Sequence, residues 1–298
     1  MQPGRHENIP AAAYHASEGL GSTAIRTIAE HSVAHYLSMQ ETPAMRRGSI
    51  HHAAVLEPER FDETYVVAPR GPCPKCPSGR KSMVGATHCH QHGGKQESQE
   101  WHDSLPVGTE VIDEDEKTQA LELAAGVRAS VARSEYPRLL EGGAREVSYC
   151  ARAVPTDDGY RITTDGDEGI VVRGRVDIDY PGLAVDLKGV SQLEMLLPRK
   201  WSWRIHDHGL HIQAALYVDI VEAVTGKRPV WGWLVHQAAP PYATRLFECS
   251  EDDIEDGREA VAIALNRWQT YLETGDPWAG WPTQRETVAR PMSVKEAA

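Results

Sequence analysis

The chain is 298 residues long, which suits one large domain or two small ones with a well-buried core. Its 41% hydrophobic and 25% charged residues are ordinary for a soluble globular protein. A formal net charge of −12 argues against a protein that coats nucleic acid, though not against an enzyme that gathers its few basic residues in a channel. No run approaches the roughly 18 apolar residues of a membrane span, and Met1-Gln2-Pro3-Gly4-Arg5 has no signal-peptide core, so a cytoplasmic location without membrane contact is expected.

In chain order, residues 1–21 read as irregular, and Ser22 suits the N-cap of a helix to about Met39 with an apolar stripe of Ile25, Ile28, Ala29 and Leu37. A short helix is expected over Ser49–Leu56, ending before Pro58, and Phe61–Val67 reads as extended. Residues 70–100 change character: Gly, Pro, Cys, His, Ser and Gln dominate, and core-forming residues almost vanish. A long helix follows from about Asp113 to Ser134. Strands are then expected at Glu146–Val154, Arg161–Thr164, Ile170–Tyr180 and Leu183–Val190, separated by Asp/Gly-rich turns. Helix resumes over Trp203–Val224, strands over Val230–His236 and Ala243–Cys249, and a last amphipathic helix over Asp252–Leu272, with an irregular tail from Pro277. This order predicts a single α/β domain over 1–298, with a mixed central sheet flanked by helices and an insertion at 70–100.

The most informative segment is Arg175–Lys188. Val176, Ile178, Tyr180, Leu183, Val185 and Leu187 alternate strictly with Arg175, Asp177, Asp179, Asp186 and Lys188 about a Pro181-Gly182 turn. If Tyr180 pairs with Leu183, Asp177 faces Asp186 with Cβ atoms roughly 5 Å apart, a repulsive arrangement unless a cation lies between them. Carboxylate oxygens with a backbone carbonyl suit Mg²⁺, and Lys188 ends beside that metal. The plainer reading is the solvated face of an antiparallel hairpin, and Pro-Gly fits a type II turn better than the primed turns of two-residue hairpins.

Other constellations add weight. Glu146 opens a strand of the same sheet and could bring a third carboxylate. His51 and His52 are adjacent on a helix, so one can face inward as a ligand. Gln213 and Tyr217 share a helix face beside the buried stripe, which by spacing alone reads as packing. Arg199-Lys200-Trp201-Ser202-Trp203-Arg204 interleaves cations with indoles, a mixture that grips phosphates and stacks on bases, or else snorkels at a helix start. Three of the five cysteines crowd into residues 73–89, and Cys73-x2-Cys76-x12-Cys89-x2-His92 fits a closed, structural zinc site, with His88 and His90 as alternative fourth ligands. An iron–sulfur cluster that recruits Cys150 is the competing reading.

Taken together, these residues resemble the RecE-type exonucleases (exodeoxyribonuclease VIII-like), a phage and prophage branch of the PD-(D/E)xK nuclease superfamily. The likeness runs through Ile9–His15 and Ser22–Tyr36, Gly48–His52 with Leu56–Phe61, Glu146–Ser148, Arg175–Asp177, Val185–Lys188 and His211–Tyr217. Val176 stands where that family has proline, Gly189-Val190 replaces small hydroxyl residues, and the Cys/His insertion is foreign to it. The resemblance implies an Mg²⁺- or Mn²⁺-dependent exodeoxyribonuclease. Asp177, Asp186, the Leu187 carbonyl, His52 and Glu146 would hold metal, Lys188 would act on water or phosphate, and Gln213 and Tyr217 would position the strand. It further implies 5′→3′ digestion of double-stranded DNA ends by a ring-shaped homo-oligomer, working with a single-strand annealing protein in recombination. A RecB-like nuclease with an iron–sulfur staple and a non-catalytic, zinc-stapled DNA-binding protein are the competitors.

Overall fold

The computed structural model describes residues 1–76, 79–166 and 168–282. The chain opens with β1 (Gly4–His6) and four helices, α1 (Ala11–Ala16), α2 (Ser22–Glu30), α3 (Val33–Leu37) and α4 (Pro43–Leu56), then α5 (Pro58–Thr64) and β2 (Tyr65–Val67). After the Cys/His-rich segment, which contains α6 (Gly94–Asp103), come β3 (Glu110–Ile112) and α7 (Glu114–Val131). The central block is β4 (Ala144–Thr156), β5 (Gly159–Thr163), β6 (Ile170–Tyr180) and β7 (Leu183–Val190). The chain continues through α8 (Pro198–Asp207), α9 (Leu210–Thr225), β8 (Val230–Gln237), β9 (Thr244–Glu248) and α10 (Glu251–Thr274).

One sheet has the order β1-β4-β6-β7-β8-β9, with β5 also on β4. Every pairing in it is antiparallel except β7–β8, so the sheet is mixed, as expected. The parallel step needs a crossover, which α8 and α9 supply. Both faces are covered. Ile25 and Ile28 of α2, Trp201 of α8, most of α9, and Val261 and Leu265 of α10 pack on one face with Val147, Val176, Trp231 and Trp233. Ile50 and Val55 of α4, Phe61, and Leu123 and Val127 of α7 pack on the other with Ile178, Val185, Leu187 and Leu234. Burial on both faces explains why β8 reads Val-Trp-Gly-Trp-Leu-Val without alternation.

Five expectations differ. Residues 1–21, read as irregular, hold β1 and α1. The helix from Ser22 is split: Gly21, not Ser22, is the N-cap of α2, and Ser32 caps α3 by accepting from the His35 N–H. The second helix starts earlier, at Thr42 with Pro43 in its first turn, which suits proline because that N–H has no partner there. Most of Phe61–Val67 is helical in α5, and only Tyr65–Val67 is a strand. The expected Trp203–Val224 helix is two helices that meet at Gly209, whose φ of +58° is left-handed. The tail is tied down as far as Trp281, with Trp278 and Trp281 packed around His35; beyond Pro282 it lies outside the described residues.

Candidate active site

The β6–β7 hairpin has the expected register. Tyr180 pairs with Leu183, Asp179 with Ala184 and Ile178 with Val185, around Gly182 at φ +89°. There the ladder stops. Asp177 and Asp186 come next in register but do not pair; instead Asp177 Oδ2 accepts the Leu187 N–H at 2.7 Å. On the other side of β6 the β4 ladder also skips one place, between Arg145↔Ile178 and Val147↔Val176. The residue at that gap is Glu146, at φ +51°, a conformation that costs a non-glycine residue about 1–2 kcal/mol. The sheet is thus opened at one point, and the three carboxylates stand around the opening. The twist there corrects the expected strict alternation: Val176 packs on the α9 side of the sheet and Ile178 on the α4 side.

Helix α4 completes the opening. Its Gly48-Ser49-Ile50 turn buries Ile50, so His52 projects toward the strands, with Nδ1 3.4 Å from Asp177 Oδ2. Donor atoms of His52, Glu146 and Asp177 all lie within 4.8 Å of one another. The Leu187 carbonyl interacts with the His52 ring, which places that carbonyl at the same opening. Asp186 sits beside this group rather than in it. Gln213 on α9 donates to its Oδ1 at 2.7 Å, and Lys188 Nζ is 2.6 Å from its Oδ2. That contact is an ion pair to a buried carboxylate, and Lys188 is the partner that Asp186 Oδ2 has among the described residues.

The electrostatics are those of a site short of positive charge. Burial, followed by repulsion from Asp177, pushes the Glu146 carboxyl up to about 8. Burial and then the charge of Asp186 push Asp177 upward too. Burial lowers His52, against the pull of Glu146, so the imidazole stays neutral and its lone pair is free for a cation.

Tyr217 is placed differently from Gln213. Its hydroxyl lies 3.3 Å from Ser22 Oγ, and its ring covers Gly174, where an added Cβ would come within 2.8 Å. It therefore packs behind the carboxylates. Two residues near the site carried no site role in the sequence reading. Arg175 lies 3.6 Å from Glu146 Oε2, donates to Ser148 Oγ and the Ile9 carbonyl, and stacks on Tyr14 at 4.3 Å. Its position in Arg-Val-Asp was the available signal. His236, buried opposite Gly189, influences His52 electrostatically, and a lone histidine on a hydrophobic strand gives no warning of that. In α8 the two indoles part: Trp201 is buried and stacked on Phe247 at 5.7 Å, whereas Trp203 is exposed and lines an open pocket with Arg199, Lys200 and Arg204.

The four residues of the Cys/His motif come together. His92 Nδ1 is 3.5 Å from Cys73 Sγ, 3.4 Å from Cys76 Sγ and 3.4 Å from Cys89 Sγ. His88 is held by Glu97 at 2.6 Å and His90 is exposed, so His92 is the histidine that faces the thiols. Cys150 is elsewhere, buried in β4 with its thiol toward the Met1 carbonyl, which removes it as a fourth thiolate.

Residues 21–282 match the family described as PDDEXK-like domain of unknown function (DUF3799). The chain belongs to that family. A PDDEXK-like domain is a nuclease fold whose members generally use divalent metals, and that agrees with the superfamily implied by the resemblance, at a coarser level than the RecE type. The crystal structure of a "Putative exonuclease" from Eubacterium rectale is 13% identical to this PDDEXK-like chain, covers 98% of each chain and superposes with a TM-score of 0.49. No curated protein matches it.

Proposed function

We propose that this PDDEXK-like protein is a metal-dependent nuclease that hydrolyses DNA phosphodiester bonds, acting as an exonuclease on linear double-stranded ends. The observation that carries the reading is the opened sheet, where His52, Glu146 and Asp177 converge beside the Asp186–Lys188 pair. The donors fit a divalent cation. They are carboxylate oxygens, among them one of Asp186 buried beside Lys188, and one neutral imidazole, the set that Mg²⁺ or Mn²⁺ takes. Asp177, Glu146 and His52 would hold it, with Asp186 and the Leu187 carbonyl as further ligands. Bound there, the ion supplies charge neutralisation at the phosphate and lowers the pKa of the attacking water.

The chain's own groups do the rest. Gln213 fixes the Asp186 carboxylate through Oδ1 and leaves Oδ2 turned toward Lys188. Lys188, a half-buried cation, orients water and opposes the negative charge that grows on the phosphoryl oxygens. Tyr217 acts from behind, fixing α9 against β6 and so the reach of Gln213. The resemblance to RecE-type exonucleases supports 5′→3′ polarity, a ring-shaped homo-oligomer and a recombination role with an annealing protein. End-labelled linear duplex and covalently closed circles, each with and without Mg²⁺, test the reading. Loss of the linear form alone, only with Mg²⁺, is expected. Equal cutting of circles would replace exonuclease by endonuclease, and no cutting of either would end the nuclease reading.

A further inference from the structure

The segment between β2 and β3 has almost nothing to fold around. Its buried residues, among those described, are small, Cys73, Ser82, Gly85, Ala86, Cys89 and Gly94, with Trp101 of α6 laid over Gly85. Local backbone bonds shape it: Cys76 N donates to Cys73 O, Cys73 N to Arg80 O, and His92 N to Cys89 O, so each cysteine pair or Cys–His pair sits on a tight turn. The four donor atoms lie within 4.8 Å of one another, and Cys76 Sγ and Cys89 Sγ are 3.5 Å apart, too far for a disulfide bond. A tetrahedral ion with zinc–sulfur and zinc–nitrogen bonds of normal length would set these edges at roughly 3.6–3.8 Å. Three thiolates and an imidazole leave no open position, so such a metal is structural.

Charge marks the same segment. The chain has 43 Asp and Glu, yet residues 65–96 contain none, while they carry Arg70, Lys75, Arg80, Lys81 and Lys95. All five are exposed, and none makes an ion pair among the described residues. The segment's own acids, Glu97, Glu100 and Asp103, are confined to α6, where Glu97 accepts from the Thr87 and His88 N–H groups and from both side chains, Glu100 accepts from Gln96 and Asp103 from Gln99. The stem of the segment adjoins the site: Tyr65, first residue of β2, is buried in the same cluster as Ile178 and Leu187, the chain neighbours of Asp177 and Asp186.

We propose that Cys73, Cys76, Cys89 and His92 hold one structural Zn²⁺, and that the segment so stapled is an arm that lays its five cations on the phosphate backbone of the DNA engaged by the adjoining site. The partner rests on the nuclease reading; the metal does not. Metal binding supplies the ordering free energy that burial cannot, and five exposed cations along residues 65–96 of an acidic protein, with no acid among those residues, favour a polyanion.

Two measurements test it on the full chain. Elemental analysis after purification without chelator should give about one zinc per chain, and Cys89→Ser should lose it; below about 0.2 zinc, or iron in its place, overturns the metal site. Duplex binding is then followed against salt, without Mg²⁺, in a background silenced by Asp186→Ala. Adding Lys75→Glu, Arg80→Glu and Lys81→Glu should weaken binding at least about tenfold and flatten the salt slope by about 2–3, since each phosphate contact contributes about 0.9. Zinc content should stay at one, which shows the arm still folds; if it falls, the glutamine versions of the same three changes are used. Unchanged affinity and slope overturn the DNA-contacting arm. Cleavage by the unmodified protein is scored separately, so a chain that digests duplex but ignores the charge reversal sinks the arm alone, and one that holds zinc yet neither cuts nor binds DNA sinks the nuclease reading and the arm's partner together.

Discussion

Asp186 and Gln213 divide one task between them, and the division is testable. Asp186 turns one buried oxygen toward the site beside Lys188, at 2.6 Å, whereas Gln213 touches only the other oxygen, at 2.7 Å. Asp186→Ala should therefore abolish Mg²⁺-supported cleavage while duplex binding survives, because it deletes a ligand and also relieves repulsion on Asp177. Retention of activity within about tenfold of the unmodified protein would remove Asp186 from the site. Gln213→Ala should be milder. Losing a group that orients a ligand costs about 10–100-fold in metal affinity or activity, and Gln213→Glu, which places a like charge against Asp186, should not rescue it. A Mg²⁺ titration of the cleavage rate measures both; an unchanged Mg²⁺ requirement in Gln213→Ala would leave the residue a packing role only.

At the level of elements, what was legible followed from local pattern. The hairpin could be placed because period-two alternation and Pro181-Gly182 are local signals, and its register follows from Tyr180 facing Leu183. The opening at Asp177 was not legible, because it depends on the side chain taking the Leu187 N–H and on Glu146 adopting a left-handed backbone in a neighbouring strand. The split helices were hidden for a similar reason. The end of α2 is satisfied by Arg267 of α10, which donates to the carbonyls of Ile28, Ala29 and His31, and α8 ends where Arg26 donates to the His208 carbonyl. Such distant caps leave no mark on the local sequence. Gly209 did leave one, a glycine within the expected helix. Its Cβ would come within 2.7 Å of Arg26 Cγ and 2.5 Å of Glu30 Oε1, in addition to the left-handed φ. Gly209→Ala should therefore cost about 1–2 kcal/mol and lower Tm by about 2–8 °C, read by thermal unfolding. An unchanged or higher Tm would mean that the α8–α9 junction relaxes freely.

For the molecule as a whole, a site built for a cation should weaken the fold that carries it when the cation is withheld. Glu146 binds its proton up to about pH 8 in the folded state, against an ordinary glutamate in the unfolded chain, and Asp177 is displaced in the same direction. The folded state therefore holds more protons than the unfolded one. Stability from these groups is complete below the usual carboxylate range and is lost as pH rises toward 8. Buried His236 acts with the opposite sign. Burial lowers it to about 4, so between there and its unfolded value near 6.5 it makes the fold more stable as pH rises, and above that value it contributes no slope. From about pH 6.5 to 8 the two carboxylates outnumber Cys73, whose thiol is lowered to about 6 and acts with the opposite sign, so the urea midpoint of protein in Mg²⁺-free buffer should fall across that window. Glu146→Gln, which cannot ionise, should fall less and be the more stable protein at pH 8. Added Mg²⁺ should restore the unmodified protein, since binding to the folded state alone stabilises it, and should do little for the variant. A midpoint flat from pH 6.5 to 8, or an equal response of both proteins to Mg²⁺, would mean that Glu146 is neither strained by its neighbours nor part of the metal site.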